Sequence, residues 1–229
     1  MNLWEKFAKE DAEYYILSYK EVDYTSEEGQ RYFYNTGREL MDHVLKRAQP
    51  YLRSRRSALE IGCGIGRLTI PHADVFEKIS AVDISPTMLE KLKANAQKKG
   101  LANIQGYLPH QDWDHGSYDY VYSFIVFQHI ADFEIIKDYF RRISKCVHPE
   151  GVIQIQIDTR PATFGYRVRN MIPDLLLPRD QKKGIRRIRR TSEQMRALFN
   201  SFGLGILEEF DANDENHTFI LKRKQQEKK

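Results

Sequence analysis

Residues 58–69 read ALEIGCGIGRLT, a short apolar run (Ala58, Leu59, Ile61) stopped by glycines at every second position, Gly62, Gly64 and Gly66. A strand that turns at once into a helix needs positive φ values, and glycine adopts them without a Cβ penalty. Glycines also let a ligand approach the main chain, and the helix start offers N–H groups with no intrahelical partner. Seventeen residues beyond Gly66, in AVDISPTML, Asp83 lies towards the end of a second apolar run, 79–84. A carboxylate at that point of a βαβ unit is positioned to accept hydrogen bonds from both hydroxyls of a ribose, so a nucleoside-bearing cofactor is expected. The plain structural alternative for Asp83 is a solvent-facing strand end or a helix cap.

The rest of the chain alternates in the same manner. Thr36 is read as the cap of a helix carrying Leu40, Met41, Val44, Leu45 and Ala48, and a second helix is expected over 68–76, with Pro71 tolerated in its first turn. Ser85 and Pro86 look like an N-cap and N1 pair for a helix that Gly100 stops. Weak strand character at 104–108 is followed by a stronger strand at 118–126. A helix bearing Phe133, Ile136, Phe140, Ile143 and Val147 then closes at Pro149 and Gly151, before a strand at 152–157. Thr191 and Gln194 match a capping box, and 204–210 with 217–221 read as an antiparallel hairpin at a sheet edge. The expected architecture is α/β: a doubly wound, Rossmann-like sheet of seven strands, mostly parallel, with an antiparallel C-terminal hairpin strand. Residues 1–35 are expected to form a helical, aromatic cap, 36–224 one domain with a basic insertion at about 159–190, and 225–229 a disordered tail.

Spacing narrows the cofactor. Dinucleotide folds use G-x-G-x-x-G, whereas this chain has G-x-G-x-G with Glu60 two residues before the first glycine and Arg67 where the last would fall, which disfavours NAD. These residues resemble the first motif of the class I S-adenosylmethionine-dependent methyltransferases. The resemblance continues through Asp83, YDYVYSFIVFQHI at 118–130, VHPEGV at 147–152 and the terminal hairpin, covering roughly 36–224. More loosely, WEKFAKEDAEYYILS and RYFYNTGREL are similar to the leader of a bacterial methyltransferase group known mostly from sequence. The resemblance implies S-adenosyl-L-methionine as cofactor. Glu60, Gly62, Gly64 and Gly66 would surround its methionine end, Asp83 would hold the ribose, Ile84 would lie on the adenine, and Ser123 or Phe124 would border the sulfonium. Gly106 and Tyr107 stand where the family often has an acid facing the adenine amine. That places Tyr107 in the cofactor site and leaves the amine contact to a backbone carbonyl or to Asp112.

A sulfonium is already a good leaving group, so the protein mainly aligns the acceptor atom, and a base is needed only if the nucleophile must lose a proton. His129, after the fourth strand, is one candidate base and Asp158, at the end of the fifth, another; each is equally readable as a cap or packing residue. Tyr14, Tyr15 and Tyr19 read either as an aromatic lid or as a helix face docked on the sheet. Cys63 reads as a packing residue, and His43, His110 and Cys146 have no metal-like spacing, so no metal is expected.

Charge is localised. The chain carries a net +4, but residues 159–190 alone hold ten basic and two acidic groups. This insertion favours an anionic acceptor, such as a carboxylate- or phosphate-bearing metabolite. The main alternative is RNA as the acceptor, the plainer one a solvated basic loop. The leading expectation is therefore methyl transfer to an oxygen or nitrogen of a small molecule, against an RNA methyltransferase or a cofactor-binding protein without activity. Two cysteines make no disulfide framework, and the short apolar runs make no membrane span or signal core, so a cytoplasmic protein with no membrane partner is expected.

Overall fold

The computed structural model describes residues 3–177 and 185–224. Seven strands form one mixed sheet in the order β3-β2-β1-β4-β5-β7-β6, as the alternating pattern predicts. The chain divides into two compact units, residues 1–122 and 123–229.

The first unit opens with α1 (Leu3–Leu17), kinked at Asp11, and α2 (Glu27–Ala48). β1 (Ser57–Ile61), β2 (Lys78–Val82), β3 (Ile104–Tyr107) and β4 (Tyr118–Ser123) pair in parallel, with Glu60 opposite Ala81 on β2 and Tyr122 on β4. Between the strands lie α3 (Thr69–Ala73) and α4 (Pro86–Lys98). Ser85 caps α4 by accepting from Met88 N, with Pro86 at the first position, and Gly100 takes φ +70° at its end. Leu59, Ile61, Ala81 and Val82 are fully buried, which explains why these strands read as apolar runs rather than alternations.

In the second unit, α5 (Phe133–Cys146) buries Ile136, Phe140, Ile143 and Cys146 at helical spacing. β5 (Val147–Ile157) pairs antiparallel with β7 (His217–Arg223), and β7 pairs antiparallel with β6 (Leu204–Phe210) at the sheet edge. α6 (Phe164–Met171) and α7 (Ser192–Ser201) complete it, the latter started by the expected capping box of Thr191 and Gln194.

Several boundaries differ from expectation. α2 starts nine residues before Thr36, because Ser26 accepts from Gly29 N and two glutamates fill the first turn; Thr36 sits inside the helix and donates to Phe33 O. The division expected near residue 35 therefore falls within α2. α3 is a five-residue helix where nine residues were expected. β4 ends at Ser123, not 126, because Ile125 turns to φ +61° and a 3-10 turn follows at Phe127–His129. The VHPEGV segment is the start of β5, not a turn. Residues 178–184 of the insertion and the tail 225–229 lie outside the described residues.

Candidate cofactor and acceptor sites

In the first unit, Gly62, Gly64 and Gly66 have φ values of +81°, +52° and +94°. The loop is fastened to β2: Gly62 N and Cys63 N both donate to Val82 O, at 2.7 and 3.1 Å. A Cβ on Gly66 would lie 2.5 Å from Leu92 Cδ1, so the third glycine is required by helix packing as well as by its dihedral. A Cβ on Gly64 would meet Ile16 Cδ1 of α1 at 3.0 Å.

Asp83 follows β2 and joins this loop to the start of α4. Its Oδ2 accepts from Gly64 N at 2.8 Å and its Oδ1 from Ser85 N at 2.9 Å. Burial raises its pKa to about 6 despite these bonds. Ile84 beside it is half exposed, an apolar surface available to a flat ring, and Tyr107 O accepts from Asp83 N at 3.1 Å. Tyr107 is half-buried. The Asp112 carboxylate is exposed and stands 3.4 Å from His115 Nε2.

Glu60 behaves differently. Its Oε2 accepts from Thr69 Oγ1 at 2.6 Å and Tyr122 Oη at 2.9 Å, and it is nearly inaccessible. Burial pushes its pKa up to about 7. Its direct role in the first unit is to tie β1 to the start of α3 and to β4. Glu5, with no obvious sequence signal, clamps α1 onto α4 by accepting from Ser85 Oγ, Thr87 Oγ1 and Thr87 N. Hydrogen bonds from Ser85 and Thr87 hold its pKa down at about 2. Tyr15 stacks on Phe7 at 3.8 Å and Tyr14 packs in the cluster around Phe33, so these two form a docked helix face; Tyr19 is half exposed.

In the second unit Ser123 closes β4 and is fully buried. His129 lies in the 3-10 turn beyond it. Burial, then the nearby Arg187 charge, lowers its pKa to about 4, against a hydrogen bond with the Ile185 backbone that acts the other way. The ring is neutral at pH 7 and a weak base. Asp158 is fully buried and accepts from Arg160 N, Nε and Nη2 at 3.1, 3.1 and 2.6 Å. The two catalytic candidates therefore share one strand-end region, but Asp158 is committed to an ion pair. Arg190 donates to Phe127 O and Ile130 O at 3.1 and 2.5 Å, binding the end of the insertion to the 3-10 turn. Phe164, Val168, Met171 and Leu175 remain exposed at helical spacing along and just beyond α6.

A family model for a methyltransferase domain matches residues 32–209. The chain belongs to the methyltransferase-domain family. It is an S-adenosylmethionine-dependent methyltransferase with a Rossmann-like α/β fold. No curated protein matches it. Among solved structures, an S-adenosylmethionine-dependent methyltransferase from Clostridium acetobutylicum ATCC 824 aligns at TM-score 0.66 and 18% identity, covering 98% of this chain and 100% of the other. The CcbJ methyltransferase from Streptomyces caelestis aligns at 0.59 and 19%, over 82% and 90%. Magnesium protoporphyrin IX methyltransferase (ChlM) from Synechocystis PCC 6803, with bound SAH, aligns at 0.57 and 19%, over 86% and 88%. The glycine loop, the Asp83 carboxylate and the exposed Ile84 fit the family's cofactor, S-adenosylmethionine. Among the described residues no helix is long and apolar enough to cross a membrane, and no cluster of three or more His, Cys, Asp or Glu side chains is arranged to hold a metal ion.

Proposed function

We propose that this methyltransferase acts on an oxygen or nitrogen of a small, anionic acceptor. The observation that carries the reading is the fate of the basic insertion. Arg160 and Arg187 are paired with Asp158 and Glu215, and Arg190 is buried against backbone carbonyls. Charges already engaged within the chain suit one small ligand better than the solvated phosphates of RNA.

On this reading Asp83 accepts the two ribose hydroxyls of the cofactor, Ile84 supports the adenine, Tyr107 lines the same region, and Gly62, Gly64 and Gly66 leave room at the methionine end. Glu60 supports the loop through Thr69 and Tyr122. Ser123 borders the reacting centre. S-adenosylmethionine supplies an electrophilic methyl group on a good leaving group. Asp158 orients Arg160, and His129, uncharged at neutral pH, is too weak a base to take a proton from the acceptor efficiently. The best acceptor atom is accordingly one that is already unprotonated.

The test is calorimetry with S-adenosylmethionine on the wild type and Asp83→Ala. Affinity is expected to fall tenfold or more, about 1.4 kcal/mol for each factor of ten, with folding retained by circular dichroism. Equal affinities would remove Asp83 from the site. Labelled cofactor incubated in parallel with metabolite extract and total RNA identifies the acceptor class; label in RNA alone overturns the small-molecule reading.

A further inference from the structure

The hydrogen-bond donors of the second unit are not evenly satisfied. Arg160 gives Nε and Nη2 to Asp158, with Nη1 2.9 Å from Glu215. Arg187 stands 3.2 Å from the same Glu215 carboxylate. Arg189 donates to Pro161 O and lies 4.7 Å over the Tyr166 ring. Arg187 Nη1 has that ion pair but no hydrogen bond, whereas Arg186 has neither: it is only 9% exposed, and its buried Nε and Nη1 have no hydrogen-bond partner among the described residues. Leaving charged donors out of water and unpaired is strongly unfavourable, so a site that does this is missing an acceptor.

Gln128 repeats the pattern. It has no exposed surface, and its Oε1 accepts from Asp158 N at 3.0 Å. That bond fixes which end of the amide is oxygen, and leaves Nε2 as a buried donor without a partner among the described residues. Main-chain bonds tie the two segments together: Ile188 N donates to Gln128 O at 2.7 Å, and Arg190 N to Asp158 O at 3.2 Å. Both segments therefore lie at the strand ends following β4 and β5, where open α/β sheets bind ligands. All the partners missing from Arg186 and Gln128 are acceptors, and the carboxylates of Asp158 and Glu215 already serve Arg160 and Arg187.

We propose that Gln128 Nε2 and the Arg186 guanidinium anchor an oxyanion, a carboxylate or phosphate, carried by the methyl acceptor. This rests on the small-molecule reading above and adds to it the residues that select the substrate. A carboxylate or phosphate presents only acceptors, and charge-assisted hydrogen bonds from a guanidinium are the strong ones.

The full-length protein is melted in inorganic phosphate, acetate and chloride at matched ionic strength. Wild type is expected to be stabilised by phosphate or acetate relative to chloride, and whichever acts distinguishes the two oxyanions. Arg186→Met should raise the melting temperature in chloride by about 2–4 °C, since it removes an unpaired buried charge, and should abolish the oxyanion response. Gln128→Glu keeps an acceptor for Asp158 N but replaces the donor, and should also lose that response. A structural arginine would give the opposite sign, a lower melting temperature for Arg186→Met. That result, a retained oxyanion response in Arg186→Met, or a wild type indifferent to both oxyanions, overturns the inference. Calorimetry with S-adenosylmethionine on the same wild-type sample separates the two readings. Normal cofactor binding without an oxyanion response defeats only the anchoring site, whereas absent cofactor binding defeats the proposed function.

Discussion

The buried carboxylates of the glycine loop and the buried donors beside the basic insertion are satisfied to different degrees. At the loop, the carboxylates of Glu60 and Asp83 are drawn out of water and each finds two donors close by in the fold: Thr69 and Tyr122 for one, Gly64 N and Ser85 N for the other. Beside the insertion, cations are drawn in, and after Asp158, Glu215 and several carbonyls have been used, donors of Arg186 and Gln128 are left over. A fully satisfied network holds a loop in one geometry before any ligand arrives. A network short of acceptors defines what its ligand must bring. On the proposed function, the difference suits a loop that receives the same cofactor every time and a region that must recognise one acceptor among many.

Three substitutions sharpen this contrast. The largest effect is expected from Gly66→Ala. Its φ of +94° and the 2.5 Å approach to Leu92 combine dihedral strain with overpacking, together about 3 kcal/mol. Chemical denaturation should record that loss, and calorimetry a weaker cofactor; a neutral result would mean the loop is not held as described.

Arg190→Met comes next. Its guanidinium is buried but bonded to Phe127 O and Ile130 O, so removing it takes a charged donor from two carbonyls and should destabilise by roughly 2 kcal/mol. The sign is opposite to that expected of Arg186→Met. Two buried arginines four residues apart that respond alike would break the distinction between satisfied and unsatisfied cations.

Near pH 5 the smallest effect is expected from Glu60→Gln. The Glu60 pKa is raised in the fold, from an ordinary 4.5 to about 7. Its contribution to stability is therefore fully present below pH 4.5 and is lost as pH rises through about 7. The amide keeps an oxygen for Thr69 and Tyr122 without ever ionising. Glu60→Gln should accordingly gain stability relative to wild type between those limits, about 1 kcal/mol at pH 5 and roughly 3 kcal/mol above pH 7, where it levels off. Melting temperatures taken at pH 5 and pH 8 check it; a gain that shrinks with rising pH contradicts the assignment.

Much of the first unit was legible because its signals are local. The glycines at 62, 64 and 66, the Ser85–Pro86 helix start and the apolar runs of β1 and β2 all act within a few residues of themselves. The start of α2 was misplaced because Thr36 and Ser26 are both competent caps, and only the Ser26 hydroxyl bonding Gly29 N distinguishes them. The role of Glu60 was only half legible: its position marks the loop, but Thr69 and Tyr122, which it grips, lie nine and 62 residues away. Glu5, reaching Ser85 across 80 residues of chain, gave no local sign at all.

The second unit was legible as charge and not as arrangement. The sequence by itself determined the alternation of strands and helices, the glycine loop with its partner Asp83, and the concentration of arginines in one insertion, because periodicity, backbone permissiveness and charge are properties of neighbouring residues. Only the tertiary structure decided which arginines are neutralised, that Asp158 is committed to Arg160, that His129 is held uncharged, and that Gln128 and Arg186 keep donors to spare. Hydrogen bonding and desolvation depend on what the fold brings within about 3 Å, and neither can be counted until distant segments have met.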